Sequence, residues 1–211
     1  MTEIEPFNLL DADASSLDLF FKKLGEKRFR SSQVMQWIHQ YGIIDVTQMT
    51  NLSKELRRRL TAETRIIIPK ILEEKNSSDG TIKWLVKLED RNVIETVYIP
   101  EESRGTLCVS SQAGCQLNCT FCATAQQGFA RQLKTGEIIG QVWLAARRLG
   151  QLDEKKKQIT NIVLMGMGEP LPNLRNVLPA VRLMLDDNAY NISRRRITVS
   201  TAGVIPGIDQ L

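Results

Sequence analysis

The sequence predicts an α/β protein whose first part is helical, whose middle is a β-hairpin and whose last part begins a parallel sheet. Three observations carry this. Apolar residues keep a 3.6-residue period up to about Thr64, and they alternate with polar ones between Ile82 and Ile99. Beyond Gly105, short β-rich runs are separated by stretches long enough for a helix. Strand, crossover helix and strand in succession imply parallel pairing, as in an α/β barrel or a doubly wound sheet. The expected parts are 1–68, 69–104 and 105–211.

In the helical part, Leu17, Phe20, Phe21 and Leu24 mark one face of a first helix closed by Gly25. Ser31 or Ser32 is the expected cap of a second, with Val34, Trp37, Ile38 and Tyr41 as its buried stripe and Gly42 at its end. Ser53 is expected to cap a third, which buries Leu56 and Leu60 and leaves Arg57, Arg58 and Arg59 mostly outside. Pro69 marks the change of period. Ile82 to Leu88 and Asn92 to Ile99 read as a two-stranded hairpin turning at Glu89, Asp90 and Arg91, followed by a polar connector from Pro100 to Gly105. The parallel strands are then Leu107 to Ser111, Ile159 to Met165 and Arg196 to Thr201. Between the first two lies a clear helix, with Thr135 as N-cap, Glu137 in its first turn, Ile138, Ile139, Val142, Trp143, Ala146 and Leu149 inside, and Gly150 at its end. Between the last two, Leu174, Val177, Leu178, Val181 and Leu185 keep helical spacing around Pro179, which either starts that helix or kinks it.

The 211 residues have the composition of an ordinary globular protein, without repeats or low-complexity segments. Apolar runs such as Ile66 to Ile68 and Ile162 to Met165 fall far short of a membrane span. The first twenty residues hold five acids (Glu3, Glu5, Asp11, Asp13, Asp18) and no base, the reverse of a secretory leader. A cytoplasmic location is therefore expected. The reducing poise there makes the four cysteines ligands or reagents rather than staples. A net charge of +4 with a pI near 8.9 is compatible with a nucleic-acid partner but decides little. Bases gather at Lys22, Lys23, Lys27, Arg28 and Arg30, at Arg57 to Arg59, at Lys155 to Lys157 and at Arg194 to Arg196. A solvated face is the ordinary reading of each.

The run Gly114-Cys115-Gln116-Leu117-Asn118-Cys119-Thr120-Phe121-Cys122 follows a predicted strand, where ligand loops of parallel sheets gather. Three thiolates at these spacings can reach one iron-sulfur cluster. A four-iron cluster closed by protein takes four cysteines, so three leave one iron free for a substrate. A zinc knuckle would prefer paired C-x2-C ligands and would need a fourth from Cys108 or elsewhere; inert buried thiols are the blandest alternative. The single histidine, His39, is expected on a partly exposed helix face rather than among ligands.

Cys115, Cys119 and Cys122 in C-x3-C-x2-C, followed by a strand ending in Gly166-Met167-Gly168-Glu169-Pro170, resemble the radical S-adenosylmethionine (SAM) superfamily. Glu95 to Pro100, Cys108 to Gln112, Thr124 to Phe129, Met165 to Pro170 and Ser200-Thr201 further resemble the RlmN-type adenosine C2 methyltransferases of 23S ribosomal RNA and transfer RNA, over nearly the whole chain. The resemblance implies the first half of a partial (β/α)6 barrel behind the helical domain and hairpin. It implies a 4Fe-4S cluster on Cys115, Cys119 and Cys122, with SAM held by Gly168, Glu169 and Ser200. Physical reasons stand beside these roles: glycines let backbone approach a ligand, and Glu169 can hold an ammonium in a charge-assisted bond. Glu95, which shares a face with Val93, Val97 and Ile99 by period, is assigned a proton-accepting role.

Cys108 falls outside the cluster spacing and by itself reads as a small buried hydrophobe. The resemblance makes it the cysteine that resolves an enzyme–RNA adduct through a transient disulfide with a second, distant cysteine. That distant cysteine first receives a methyl from one SAM; a radical from another SAM takes a hydrogen from it, and the carbon radical attacks the adenine ring. No such cysteine occurs in the sequence, and only three of the six barrel strands do, so an incomplete, inactive barrel is expected. A flavodoxin- or ferredoxin-type electron donor, a monomeric state and no membrane are also implied. The remaining alternatives are a C8-methylating resistance homologue, a zinc-stabilised RNA-binding module and an electron-transfer iron-sulfur protein.

Overall fold

The computed structural model describes residues 6–117, 119–154 and 157–210. Glu3, Glu5, Asn118, Lys155 and Lys156, all named in the sequence patterns above, lie outside the described residues. The chain opens with β1 (Phe7–Asn8), which pairs in parallel with β2 (Thr64–Arg65) around three helices. Asp13 caps α1 (Ala14–Lys23), its carboxylate accepting from Ser16 N at 3.0 Å and Ser16 Oγ at 2.8 Å, and Leu17 and Phe21 are buried. Helix α2 (Phe29–His39) begins ahead of the serines expected to cap it. Its N-cap is Arg28, with no side-chain bond, and Ser31 is buried in the same stripe as Val34, Met35 and Ile38. Helix α3 (Lys54–Glu63) starts as expected, with Ser53 Oγ accepting from Leu56 N at 3.1 Å.

Two expectations for α2 are corrected. Tyr41 lies beyond the helix and is 45% exposed. His39 is 2% exposed, its Nδ1 3.1 Å from the Tyr190 hydroxyl, because α2 packs on a second side against the segment that follows the last long helix. A single helical period shows one buried face and cannot report a second.

The expected two-stranded hairpin is three-stranded: β3 (Lys70–Asn76), β4 (Ile82–Lys87) and β5 (Val93–Pro100) form an antiparallel meander. Strand β3 shows no apolar alternation because it is an edge strand, Lys-Ile-Leu-Glu-Glu-Lys-Asn, whose Ile71 alone packs against the core. The expected connector is a tight turn, since Pro100 pairs with Gly105 and β6 (Gly105–Cys108) runs antiparallel to β5. Next come β7 (Gln112–Gly114), α4 (Ala123–Gln126) and β8 (Phe129–Gln132), then α5 (Thr135–Arg148) and α6 (Gln151–Glu154). Lys134, one residue ahead of the expected Thr135, is the N-cap of α5, and Glu137 Oε2 accepts from Lys134 N at 2.8 Å. Strand β9 (Asn161–Leu164), helix α7 (Leu174–Leu185), strand β10 (Ile197–Val199) and α8 (Ile205–Ile208) complete the order. Helix α7 does not start at Pro179; it starts at Leu174 and runs through the proline, which lies on a half-exposed side.

The main sheet has the order β10-β9-β6-β5-β4-β3, parallel among β6, β9 and β10 and antiparallel beyond. This is an open partial barrel. Its helix-covered face carries Ile94, Thr96, Tyr98, Leu107, Ile162 and Leu164, all buried. Val93, Glu95, Val97 and Cys108 share the opposite, half-open face. One apolar core runs from Leu9 to Ile192 through both the helical start and the sheet. Trp143 Nε1 of α5 donates to Ile38 O of α2 at 2.8 Å, and Arg182 of α7 pairs with the Asp13 cap at 3.2 Å. No described helix is long and apolar enough to cross a membrane.

Candidate active site

The cysteine loop leaves the sheet at the C-terminal end of β6 and is framed by the small hairpin of β7 and β8. Gly114 starts the loop at φ +74°, and a Cβ there would overlap the Gly128 carbonyl across the hairpin. Cys115 N donates to that carbonyl at 3.0 Å, and Cys122 N closes a turn on Cys119 O at 3.1 Å. Leu117 N points at Cys115 Sγ, 3.4 Å away. Cys122 is the N-cap of α4, and the amides of Ala125 and Thr124, with the Thr124 hydroxyl, hold its thiol below the ordinary cysteine range. Phe121 is 91% exposed on the loop between Cys119 and Cys122.

The turn after β9 meets this loop through buried polar groups. Ser111 N and Gln112 N donate to Met167 O at 2.9 and 3.2 Å, and Met167 N donates to Ser110 Oγ at 2.9 Å. Gln112 Oε1 accepts from Glu169 N at 2.9 Å, and its side chain occupies the space a Cβ on Gly168 (φ +97°) would need. Cys115, Cys119, Cys122, Gly166, Gly168 and Glu169 thereby line one cleft of about 150 Å³, with Ala202 on its rim. Glu169 is 4% exposed. Its carboxylate accepts from Ala202 N at 2.8 Å and from Leu171 N at 3.3 Å, which uses two of about four acceptor positions on the group.

The other expected site residues lie near but apart. Ser200 follows β10 and is not among the residues lining the cleft, whereas Ala202 is. Glu95 does share a face with Val93, Val97 and Ile99, but that face is the half-open one. Its side chain is 42% exposed and pairs with Lys83 Nζ at 2.7 Å, so it is a half-exposed, charge-paired residue. Cys108 sits across from Val97 on this face, and burial raises its thiol pKa. All four cysteines are free, so Cys108 forms no disulfide here.

Three residues that no motif singled out by role hold the site together. Gln141 of α5 is fully buried; its Oε1 accepts from Thr96 Oγ1 at 2.9 Å and Ser110 N at 2.8 Å, and its Nε2 donates to Ser110 O at 3.0 Å. Asn173 Nδ2 donates to Ser111 O at 2.9 Å and Leu133 O at 2.8 Å. Gln112 is the third. A polar residue inside the apolar stripe of α5 was the available signal for Gln141.

Among the described residues no three His, Cys, Asp or Glu side chains converge as they would around one metal ion. A structural zinc needs four ligands at a single point. In a four-iron cluster each cysteine holds a different iron, so thiols distributed around one cleft, with an amide on Cys115 Sγ, fit that group better. Residues 109–211 match the radical SAM superfamily, and residues 7–66 match the ribosomal RNA large subunit methyltransferase N-terminal domain. A crystal structure of a radical SAM methyltransferase from Sphaerobacter thermophilus is similar over 97% of this chain, at 38% identity and a TM-score of 0.85. The chain joins an RlmN-type N-terminal domain to a radical SAM domain. It spans 60% of the length of that Sphaerobacter chain. In this radical SAM protein the cysteine cleft therefore lies where an α/β sheet places its ligands, at the carboxyl ends of the parallel strands.

Proposed function

We propose that this chain supplies the cofactor-cleaving part of an enzyme that methylates C2 of adenosine in 23S ribosomal RNA and transfer RNA. The observation that carries the reading is the single cleft shared by three cluster-spaced thiols and the Gly166–Glu169 turn. Cys115, Cys119 and Cys122 would hold a 4Fe-4S cluster, which supplies the electron that cleaves SAM once a flavodoxin- or ferredoxin-type donor has reduced it. Gly166 and Gly168 let the turn pack closely against Val109, Ser110 and Gln112, which sets its backbone on the cleft where the cofactor's amino-acid end would lie. Glu169, fixed by two amides, offers its remaining lone pairs to an ammonium. Ser200, beside that rim, is the further cofactor contact.

Cys108 and Glu95 face the open side of the sheet, where a substrate base would enter. Cys108 is held as a thiol by burial and needs a proton acceptor before it can act as a nucleophile. Glu95, already charge-paired with Lys83, is the acceptor on that face. The reaction also needs a methyl-carrying cysteine; the only cysteine of the 211 outside the cluster spacing is Cys108, so that thiol is not in this stretch. The protein acts as a monomer in this reading. The test is anaerobic reconstitution followed by iron, sulfide and zinc analysis, then incubation of the full-length protein with labelled SAM and RNA. Iron and sulfide in equal amounts and label at C2 of adenosine support the reading. Zinc alone removes it, and label at C8 corrects its regiospecificity.

A further inference from the structure

A second groove, of about 350 Å³, opens at the same edge of the sheet as the cysteine cleft, and three cations surround it. Lys87 ends β4, Lys70 starts β3 and Arg91 sits on the turn between β4 and β5, over a floor of Ile67, Pro69 and Leu88. The shared edge follows from the register. Val97 pairs with Cys108, Ser110 Oγ donates to Glu95 O at 2.6 Å, and the rung of Lys87 and Val93 lies two residues further in the same direction. Asp90, on the turn, also pairs with Arg131 of β8, so the groove's wall is fastened to the hairpin that frames the cysteine loop.

The charges of this groove are not balanced from within. Lys70 and Lys87 are directly opposed partners across β3 and β4, about 5 Å apart by strand geometry, an arrangement that costs stability when both are charged. The same two strands carry a second opposed pair, Lys75 and Lys83, and there each lysine has its own carboxylate: Glu73 at 3.2 Å and Glu95 at 2.7 Å. Among the described residues Lys70, Lys87 and Arg91 have no such partner. Glu89 also lines the groove, but Arg65 engages it at 3.4 Å.

On the strength of the RNA reading above, we infer that Lys70, Lys87 and Arg91 form a phosphate-binding subsite that holds the RNA backbone beside the cofactor cleft. Cations on two facing strands and an adjoining turn suit successive phosphates of one strand. The apolar floor suits the ribose faces between them. The contacts carry no base information; they position the target nucleotide over the open face of β5 and β6.

The test is fluorescence anisotropy with a labelled adenosine-containing RNA hairpin, titrated with the chain between about 50 and 200 mM KCl. The triple variant Lys70→Gln/Lys87→Gln/Arg91→Gln should bind about tenfold more weakly at the lower salt and show a salt slope smaller by about 1 to 2. Its melting temperature should be no lower, and slightly higher as the opposed lysine charges are removed, and its affinity for SAM should be unchanged. Arg194→Gln/Arg195→Gln/Arg196→Gln, which removes the same charge at the opposite end of the parallel strands, should change RNA affinity much less. Unchanged affinity and slope in the first variant overturn the subsite and leave the proposed function standing. Equal loss in both variants reduces the effect to net charge and also overturns it. If the unaltered chain binds no RNA at either salt, the subsite falls together with the RNA reading.

Discussion

Four cysteines of one chemistry are separated here by their surroundings. Cys122 and Cys108 are both half-buried, but the amides that begin α4 lower the Cys122 thiol, whereas desolvation in the sheet raises that of Cys108. A metal takes thiolates, so ligation is favoured at Cys122, which shares one cleft with Cys115 and Cys119, and disfavoured at Cys108. Reconstituted Cys115→Ala, Cys119→Ala and Cys122→Ala should each lose the brown charge-transfer absorbance, and Cys108→Ala should keep it; equal loss in Cys108→Ala would refute the assignment. Glu169 presents a separate case, because its amide partners fix the turn while its charge, in the proposed function, is what a ligand's ammonium would use. Glu169→Gln retains an acceptor and removes the charge, so SAM binding measured by calorimetry should weaken by about 1.5 to 3 kcal/mol with little change in melting temperature. An unaltered dissociation constant would take Glu169 out of the cofactor site. The cysteine spacing and the Gly-Glu-Pro turn were legible in the sequence because short motifs encode local geometry. The salt bridge of Glu95 with Lys83 was not, since it depends on which strand lies beside β5.

Elements with one buried face read well and those with two did not. Helices α1, α3 and α5 follow the expected apolar stripes, and β9 and β10 fall within the expected runs, whereas β6 begins at Gly105, two residues ahead of the expected Leu107, and ends at Cys108. Helix α2 is the exception that carries a measurable consequence. Its last residue, His39, is wedged against Tyr190, and burial lowers the imidazole pKa from 6.5 to about 3. The folded state therefore holds His39 neutral, while the unfolded chain takes up its proton below 6.5. Stability is complete above that value and is lost as pH falls, by about 2 kcal/mol between pH 6.5 and 5. His39 is the only histidine in the sequence, and carboxylates held low, such as Asp90 beside Arg131 and Glu74 beside Arg148, lose their contribution mainly below pH 5. Urea midpoints at pH 7 and 5 should show this fall. The variant His39→Gln should be less stable at pH 7 but nearly flat across the interval. An equally steep fall in the variant would place the titrating group elsewhere.

At the scale of the molecule, the order of helices, meander and parallel strands was legible because each change of hydrophobic period coincides with a change of element. The extra edge strand β3 was not, because a charged strand with one residue on the core has no alternation to detect. Nor does any local pattern show that the helical start and the sheet share a core. That union is built from particular contacts: Trp143 on Ile38, His39 on Tyr190, Gln36 on Asn188 at 3.1 Å, and Arg182 on Asp13. Removing either side would leave buried polar groups without partners and expose the α2-facing side of α5, so neither part is expected to unfold alone. The three tryptophans report on this from different places, Trp37 on α2, Trp84 on β4 and Trp143 on α5. Each indole N–H has a distinct partner: Asn51 at 2.7 Å, Glu74 at 2.8 Å and Ile38 O at 2.8 Å. In chain labelled with 5-fluorotryptophan, the three fluorine resonances should disappear at one common urea midpoint. An earlier midpoint for Trp37, with Trp84 and Trp143 still native, would mean that the helical part melts on its own and that its contacts with α5 and α7 add little to the stability of the sheet.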